Sequence, residues 1–261
     1  MANESTFQLF TRSAFGLEPG CRVGVQFKAL ATPAALTRGE LAPLDQHFDQ
    51  LVFVARGATK LAAHASEDRE QIVAFHFGGD IVSIPAEGLY SYTLTALVDT
   101  ELLSFPAREF FDFAATEVST SRALMDRLPR ALHRCRDKAV ALGQKSALER
   151  LAGFLLAMSE RVGVTEGNVV ILELPMSRRD IGDSIGLTIE TVSRQLGALR
   201  DAGFIATQGR SRIALLDLEA LRKSAGFAPL PTDISPQLGK FDLDQCDAVQ
   251  ARLPEPETGR I

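Results

Sequence analysis

Three polar side chains on one short segment have the chemistry needed to read DNA bases: Glu190, Ser193 and Arg194. An arginine donates two hydrogen bonds to O6 and N7 of guanine, a glutamate accepts one from N4 of cytosine, and a serine bonds to several bases. Glu190 and Arg194 are spaced i, i+4, so each could also orient the other. The alternative is an ordinary surface ion pair worth about 0.3–0.5 kcal/mol.

A helix beginning after Thr188 would present these side chains together. Threonine is a good N-cap, and Val192, Leu196 and Leu199 follow at i, i+4 and i+7 of a buried face. The three polar side chains then lie near the N-terminus of the opposite face. The first turns of a recognition helix enter the major groove, so this arrangement suits a DNA reader.

A second helix is predicted immediately before it. Ser177 is a candidate N-cap, and Asp180 completes a capping box. Ile181 and Ile185 lie i, i+4 and should be buried, while Gly186 supplies the permissive backbone of a tight turn. Residues 177–201 are therefore predicted to form a helix-turn-helix. This context favours a role of Glu190 and Arg194 in reading bases over an isolated surface ion pair.

A β-hairpin is predicted after Gly203, the expected helix C-cap. Residues 204–207 and 211–215 are strand-like and flank Gln208-Gly209-Arg210, which makes a winged helix-turn-helix. The wing arginines would approach phosphates; alternatively, the hairpin covers the core with solvated arginines. The side chains predicted to contact the DNA backbone are those of Ser177, Arg178, Thr188, Thr191, Arg210 and Arg212.

The charge distribution supports a small DNA-facing surface. The chain carries a net charge of -5, which argues against indiscriminate coating of nucleic acid. Residues 175–212 nevertheless hold six arginines and four acids, a local charge of +2. The expected partner is double-stranded DNA read at specific sites.

The preceding sequence predicts an α+β fold. Short apolar stretches alternate with turn signals over residues 42–105, which indicates an N-terminal β-roll, and residues 107–161 contain a single proline, Pro129, in an otherwise helical composition. Pro129 should kink the helix or mark a break near its start. We predict a β-roll domain over 1–116, a dimerisation helix over 117–145, the winged domain over 146–227 and a flexible Pro-rich tail over 228–261.

The long helix carries an apolar stripe at steps of three and four. Such a stripe needs a partner helix, and a symmetric homodimer would supply it; packing against the chain's own β-roll is the alternative. The residues predicted at the dimer interface are Leu124, Leu128, Leu132, Cys135, Ala139 and Leu142.

Composition narrows the remaining classes of protein. No apolar run approaches the roughly 20 residues of a membrane span, and Met1–Phe10 lacks a signal-peptide core, so we expect a cytoplasmic protein that contacts no membrane. Three widely spaced cysteines form no disulfide framework or metal cluster. The four histidines are dispersed, and no nucleophile or phosphate-loop signature accompanies them, so no catalytic residue is assigned and an enzyme is not expected.

The segment Leu174–Arg194 resembles the CRP/FNR family of bacterial transcription regulators, and most of all its FNR and FixK branch. Residues 149–156 resemble the helix that leads into that family's DNA-binding domain, and the similarity spans about residues 15–227. The resemblance implies a cyclic-nucleotide-binding-like β-roll, a dimeric activator that contacts RNA polymerase, and a site like TTGA-N6-TCAA. Glu190, Ser193 and Arg194 would read it.

The sequence departs from the family's sensor types. Iron-sulfur sensors of the family hold their cluster with several N-terminal cysteines and one cysteine late in the roll. This chain has only Cys21 near the N-terminus and a leucine, Leu103, at the late position, so a cluster is not expected. Cyclic AMP binding needs an arginine for the phosphate, and none occurs between Arg69 and Arg108. Heme binding through His64 or His76 is left open by the sequence. The predicted cofactor is none; the alternative is a roll that senses a small molecule, heme or thiol oxidation and gates DNA binding.

Overall fold

A computed structural model describes residues 5–18, 20–45, 47–66, 69–209 and 211–227. It contains the predicted order of a β-roll, a long helix and a winged helix-turn-helix, so the α+β fold class is confirmed. The strands of the roll are β1 (Thr32–Leu36), β2 (Gln50–Arg56), β3 (Ala58–Ser66), β4 (Arg69–Phe77), β5 (Ile81–Ile84), β6 (Ser91–Ala96) and β7 (Thr100–Pro106).

The roll consists of two antiparallel sheets, in the orders β1-β7-β2-β5 and β4-β3-β6. Apolar side chains of both sheets fill the space between them, and Val54, Leu94 and Leu102 are almost completely buried there. Strand β4 is an edge strand, and its register with β3 shifts so that Val73 has no partner. This bulge leaves backbone carbonyls along β4 that other elements must satisfy.

An N-terminal helical segment precedes the roll and has no counterpart among the sequence predictions. It consists of α1 (Thr6–Phe10), a π-helical turn (Thr11–Phe15) and α2 (Arg22–Leu30). Phenylalanines from this segment pack with phenylalanines of the roll and of the helix that follows it. The ring centroids of Phe10 and Phe105, the latter on β7, are 4.8 Å apart, as are those of Phe27 and Phe110, the latter on the helix after β7. Each such pair adds about 0.5–1.5 kcal/mol beyond its buried area, so the segment is a structural part of the roll.

The predicted helical region forms three helices, α3 (Ala107–Ala115), α4 (Val118–Gln144) and α5 (Ala147–Val162). The predicted domain boundaries at 116/117 and 145/146 fall at the two gaps between them. Helix α4 continues through Pro129, so of the two predicted alternatives, a kink or a break, the break does not occur. The cost is local, because a proline removes one intrahelical hydrogen bond and α4 has 27 residues over which to propagate the helix.

The C-terminal domain has a four-stranded sheet and three further helices. Its elements are β8 (Val164–Glu166), β9 (Val169–Glu173), α6 (Arg178–Ile185), α7 (Ile189–Asp201), β10 (Ile205–Gln208), β11 (Arg212–Leu215) and α8 (Leu218–Ser224). The sheet order is β10-β11-β9-β8, with β10 and β11 paired antiparallel, so the predicted hairpin is confirmed. The predicted tail over 228–261 lies outside the described residues.

Candidate DNA-binding surface

The turn between α6 and α7 is built as the sequence indicated. Ser177 and Asp180 form a capping box at the start of α6, and the Thr188 hydroxyl accepts a hydrogen bond from the backbone N–H of Thr191, which caps α7. Gly186 has a φ of 67°, a left-handed conformation that favours glycine. Local interactions therefore define where each helix begins and how the chain turns between them.

Gly182 makes the close approach of the two helices possible, and the sequence reading missed it. A Cβ atom at this position would lie 2.5 Å from the carbonyl oxygen of Leu187, closer than real Cβ contacts allow. The signal in the sequence was a glycine inside a strongly amphipathic helix, where it costs about 1 kcal/mol relative to alanine unless packing requires it.

The apolar face of the two helices is buried as predicted. Ile181 and Ile185 of α6 and Val192, Leu196 and Leu199 of α7 all lie in one cluster with the residues of α5 and the wing sheet. Since these positions point inward, the polar positions of α7 point outward.

Glu190 and Arg194 are both exposed on the outer face of α7, and Ser193 between them is partly buried. The Ser193 hydroxyl accepts a hydrogen bond of 3.3 Å from Nη1 of Arg178 on α6. Among the described residues no ion pair joins Glu190 to Arg194, and the groups that act on the Glu190 carboxylate are Thr188, its own backbone N–H and Arg179. Both side chains are exposed to a ligand.

Glu190 lies in the first turn of α7, where backbone N–H groups favour negative charge. Its own backbone N–H and the Thr188 hydroxyl hold the pKa of the Glu190 carboxyl below its usual range, and Arg179 acts in the same direction. The carboxylate is therefore ionised and acts as a hydrogen-bond acceptor over the physiological pH range.

Four of the residues predicted to contact the DNA backbone, Ser177, Arg178, Thr188 and Thr191, lie at the starts of α6 and α7. The hydroxyls of Ser177, Thr188 and Thr191 take part in the helix caps, with Thr188 Oγ1 and Thr191 Oγ1 3.2 Å apart. Arg178 lies at the start of α6, beside Ser193. These side chains mark the N-terminal ends of both helices, where backbone N–H groups favour an anion such as phosphate.

Arg212 of the wing is placed less favourably for a phosphate contact. Arg212 pairs with Glu173 and Glu166 of neighbouring strands, at 3.5 and 3.7 Å, so that part of its charge is already compensated. Arg210 lies outside the described residues. The hairpin alone therefore does not determine which wing side chains face DNA.

The apolar stripe on α4 is exposed over most of its length. Leu128 and Leu132 are 60% and 50% exposed, and Cys135, Ala139 and Leu142 are exposed as well. Leu124 differs, because it is partly buried against the phenylalanine cluster of the roll. Its neighbour Met125 is 66% exposed and continues the stripe instead. The exposed positions then alternate in steps of three and four, the spacing of a coiled-coil seam.

No helix in the described ranges has the length and apolar character required to cross a membrane. Within those same ranges no three His, Cys, Asp or Glu side chains gather as metal ligands. Cys21 accepts a hydrogen bond from the backbone N–H of Gly24 and caps α2, whereas Cys135 lies on α4.

Comparisons with known proteins agree with this geometry. The family described as "Crp-like helix-turn-helix domain" matches residues 149–224, and that described as "Cyclic nucleotide-binding domain" matches residues 43–117. The nitrogen fixation regulation protein FixK of Azorhizobium caulinodans is 34% identical over 197 residues, which cover 75% of this chain and 79% of that protein.

Two further relatives belong to the same group. The transcriptional activator protein FnrL of Cereibacter sphaeroides is 30% identical over 185 residues, covering 68% of this chain and 75% of that protein. The solved structure of FixK2 from Bradyrhizobium japonicum has a TM-score of 0.66 at 31% identity, covering 77% of this chain and 100% of that one. The chain therefore belongs to the CRP/FNR family, in its FixK branch, and is a DNA-binding transcription regulator and not an enzyme.

Proposed function

We propose that this regulator binds an inverted repeat like TTGA-N6-TCAA as a homodimer, with Glu190, Ser193 and Arg194 reading each half-site. The observation that carries the proposal is the exposed polar face of α7. The opposite face of α7 is packed on α5 and α6, and no ion pair joins Glu190 to Arg194 among the described residues. Arginine and glutamate at these positions offer complementary donors and acceptors for a G·C pair. Arg178, Arg210 and Arg212 supply phosphate contacts, and Arg212 exchanges its ion pairs with Glu166 and Glu173 for the phosphate.

The dimer forms through α4. Its seam is the exposed series Met125, Leu128, Leu132, Cys135, Ala139 and Leu142, and a second copy of the same helix buries it. A two-fold axis along this seam relates the two recognition helices, as an inverted repeat requires. Leu124 supports the seam indirectly, because its contact with the phenylalanine cluster fixes the rotation of α4 about its own axis.

The bound dimer activates transcription by contacting RNA polymerase, and it acts in the cytoplasm. The relatives named as activators, FnrL among them, support this direction of regulation.

The roll of this regulator takes no cofactor. Its interior is filled by aliphatic side chains such as Val54, Leu94 and Leu102, and no arginine occurs between Arg69 and Arg108 to hold a cyclic phosphate. Cys21 is used as a helix cap, which argues against a cluster ligand. Of the two heme candidates, His64 bonds to Thr93 at 2.9 Å, and a ligand there would have to displace this contact. Nδ1 of His76 lies 3.9 Å from Asp80, and its buried Nε2 has no hydrogen-bond partner among the described residues, so His76 is the position at which the rival function, a ligand-gated roll, is to be tested.

Selection of binding sites from a randomised duplex library by the purified full-length chain tests the proposal. The expected product is an inverted repeat with a TTGA-like half-site and one favoured spacing. Enrichment of a single unrepeated motif would contradict the dimer, and no enrichment at all would contradict the assignment of α7 as a base reader. An absorbance spectrum of the same preparation tests the cofactor statement, because heme would give a strong visible band.

A further inference from the structure

The first helix of the helix-turn-helix is docked on the β-roll. The centre of the contact is apolar: Phe75 of β4 packs on Phe154 of α5 with ring centroids 6.1 Å apart, and the same cluster includes Ile72 and the buried face of α6. The core of the DNA-binding domain therefore continues into the outer face of the roll, and polar contacts surround this centre.

The C-terminal end of α6 receives hydrogen-bond donors from three different elements. Gln71 of β4 donates to the carbonyl oxygens of Asp183 and Ser184, and Arg150 of α5 donates to those of Ile185 and Gly186. Lys138 of α4 donates to the Ser184 hydroxyl at 3.3 Å. The last carbonyls of a helix have no intrahelical partner and carry partial negative charge, so donors at this end are strongly favoured.

Lys138 of α4 connects strand β4 of the roll to helix α6. Its ammonium donates to the carbonyl oxygens of Ile72 and Val73, both at 2.7 Å, in addition to Ser184. The three hydrogens of one ammonium group are thus shared between the bulge of β4 and the first helix of the DNA-binding motif. Burial lowers the pKa of Lys138 to about 8, and no carboxylate among the described residues offsets that burial. A lysine in this position is costly unless the contacts it makes are needed.

The N-terminal end of α6 is held by an ion pair. Lys60 of β3 donates to Asp180 at 2.9 Å, and Glu70 lies 3.5 Å from the same ammonium. Burial acts to raise the pKa of Asp180, but the hydrogen bonds from Ser177 and Lys60 outweigh it and lower that pKa. Both ends of α6 are therefore fixed to the roll, at points separated by the length of the helix.

This docking leaves the reading face open. Helix α7 packs on α5, α6 and β10, and its outer residues Glu190 and Arg194 remain exposed. The contacts on α6 consequently fix where the reading face points and do not cover it.

We propose that Lys138 is a positioning residue for DNA binding: by joining the dimer helix α4, the bulge of β4 and α6, it sets the separation and angle of the two recognition helices in the dimer. The inference rests on the proposed function. It assigns to Lys138 the role of specifying the spacing between the two half-sites. Lys60 assists at the other end of α6. A dimer without these contacts keeps both readers, but each domain becomes freer to turn relative to the two-fold axis.

The test compares binding of the full-length wild type and Lys138→Met to duplexes that carry one half-site, or two half-sites separated by about four to eight base pairs. Methionine keeps most of the side-chain volume and removes the donors. We expect about ten-fold weaker binding at the wild-type spacing, less than about two-fold change on the single half-site, and a flatter dependence on spacing. Lys138→Arg should restore much of the spacing preference.

Controls separate positioning from a loss of fold. Lys60→Met should flatten the spacing dependence in the same way, and it serves as the test if Lys138→Met does not fold. Lys223→Met, at an exposed lysine of α8, should change nothing. An unchanged spacing preference in a folded Lys138→Met overturns the inference, and so does one in Lys60→Met where Lys138→Met does not fold. Equal weakening of half-site and full site, or tighter binding at every spacing, also overturns it. A wild type that binds no inverted repeat overturns the proposed function itself.

Discussion

Arg178 and Ser193 are joined by a hydrogen bond of 3.3 Å from the guanidinium to the hydroxyl, which ties the start of α6 to the middle of the reading face of α7. One residue predicted to contact phosphate thus touches one predicted to read a base. The contact uses one N–H of the Arg178 guanidinium and leaves its other donors for phosphate.

Removing this arginine should weaken binding without changing the preferred sequence. Arg178→Ala is expected to lower affinity about equally for all sites and to reduce the slope of log K against log salt by about 1, since one phosphate contact is lost. Titrations at several salt concentrations measure both. Arg222→Ala, on α8, is the matched control. An unaltered salt slope in Arg178→Ala would show that this arginine does not contact phosphate.

Gly182→Ala should destabilise the DNA-binding domain. Its methyl group would meet the Leu187 carbonyl at 2.5 Å, and overpacking of this kind typically costs about 1–3 kcal/mol. Gly153→Ala on α5 is the control, because nothing lies within 4 Å of its Cβ and alanine favours a helix by up to about 1 kcal/mol. Urea unfolding of both variants measures the difference. Equal stability of the two variants would contradict the packing described for the turn.

The helix-turn-helix could be predicted from sequence because its determinants are local. Caps at Ser177 and Thr188, a left-handed glycine at 186 and the buried positions of both helices are all specified within 25 residues of one another. Local propensity, patterning and turn chemistry agree there, so a single structure satisfies them all.

The orientation of α4 could not be predicted in the same way. Leu124 and Met125 are adjacent and both apolar, so either can begin a stripe at steps of three and four. Only the phenylalanine cluster, assembled from residues far apart in the chain, determines that Leu124 turns toward the roll. The contacts of Lys138 are equally invisible in the sequence, because their acceptors are backbone carbonyls exposed by a bulge in β4.

The exposed stripe on α4 predicts the effect of a charge at its centre. Leu132→Glu should convert the dimer to monomer, because two carboxylates would meet at the seam without a counter-charge. Val140→Glu is the control: Val140 is 57% exposed but lies outside the series of three and four. Sedimentation equilibrium distinguishes the two. A Leu132→Glu protein that remains dimeric would place the interface elsewhere.

His76 predicts a pH dependence of stability. Burial lowers the pKa of His76 from 6.5 to about 4. The charge of Asp80 acts to raise this pKa, and the charges of Arg161 and Arg134 act to lower it. Between these values the unfolded chain binds more protons than the folded one, so stability falls as pH decreases, by about 2 kcal/mol from pH 7 to pH 5. Chemical unfolding at the two pH values measures this loss.

His76→Gln should remove most of the dependence on pH, even if it lowers stability at both values. His133→Gln, at an exposed position on α4, should leave the dependence intact. The same loss between pH 7 and pH 5 in His76→Gln as in the wild type would mean that other groups cause it.

The central claim is that exposed side chains of α7 read the bases, and Arg194 tests it most directly. Site selection with Arg194→Ala should lose the preference at the guanine of the half-site, and affinity for the wild-type site should fall by about 1–3 kcal/mol. Arg200→Ala, at an exposed arginine on the last turn of the same helix, should select the wild-type sequence. An Arg194→Ala protein that selects the same guanine as the wild type would contradict the account.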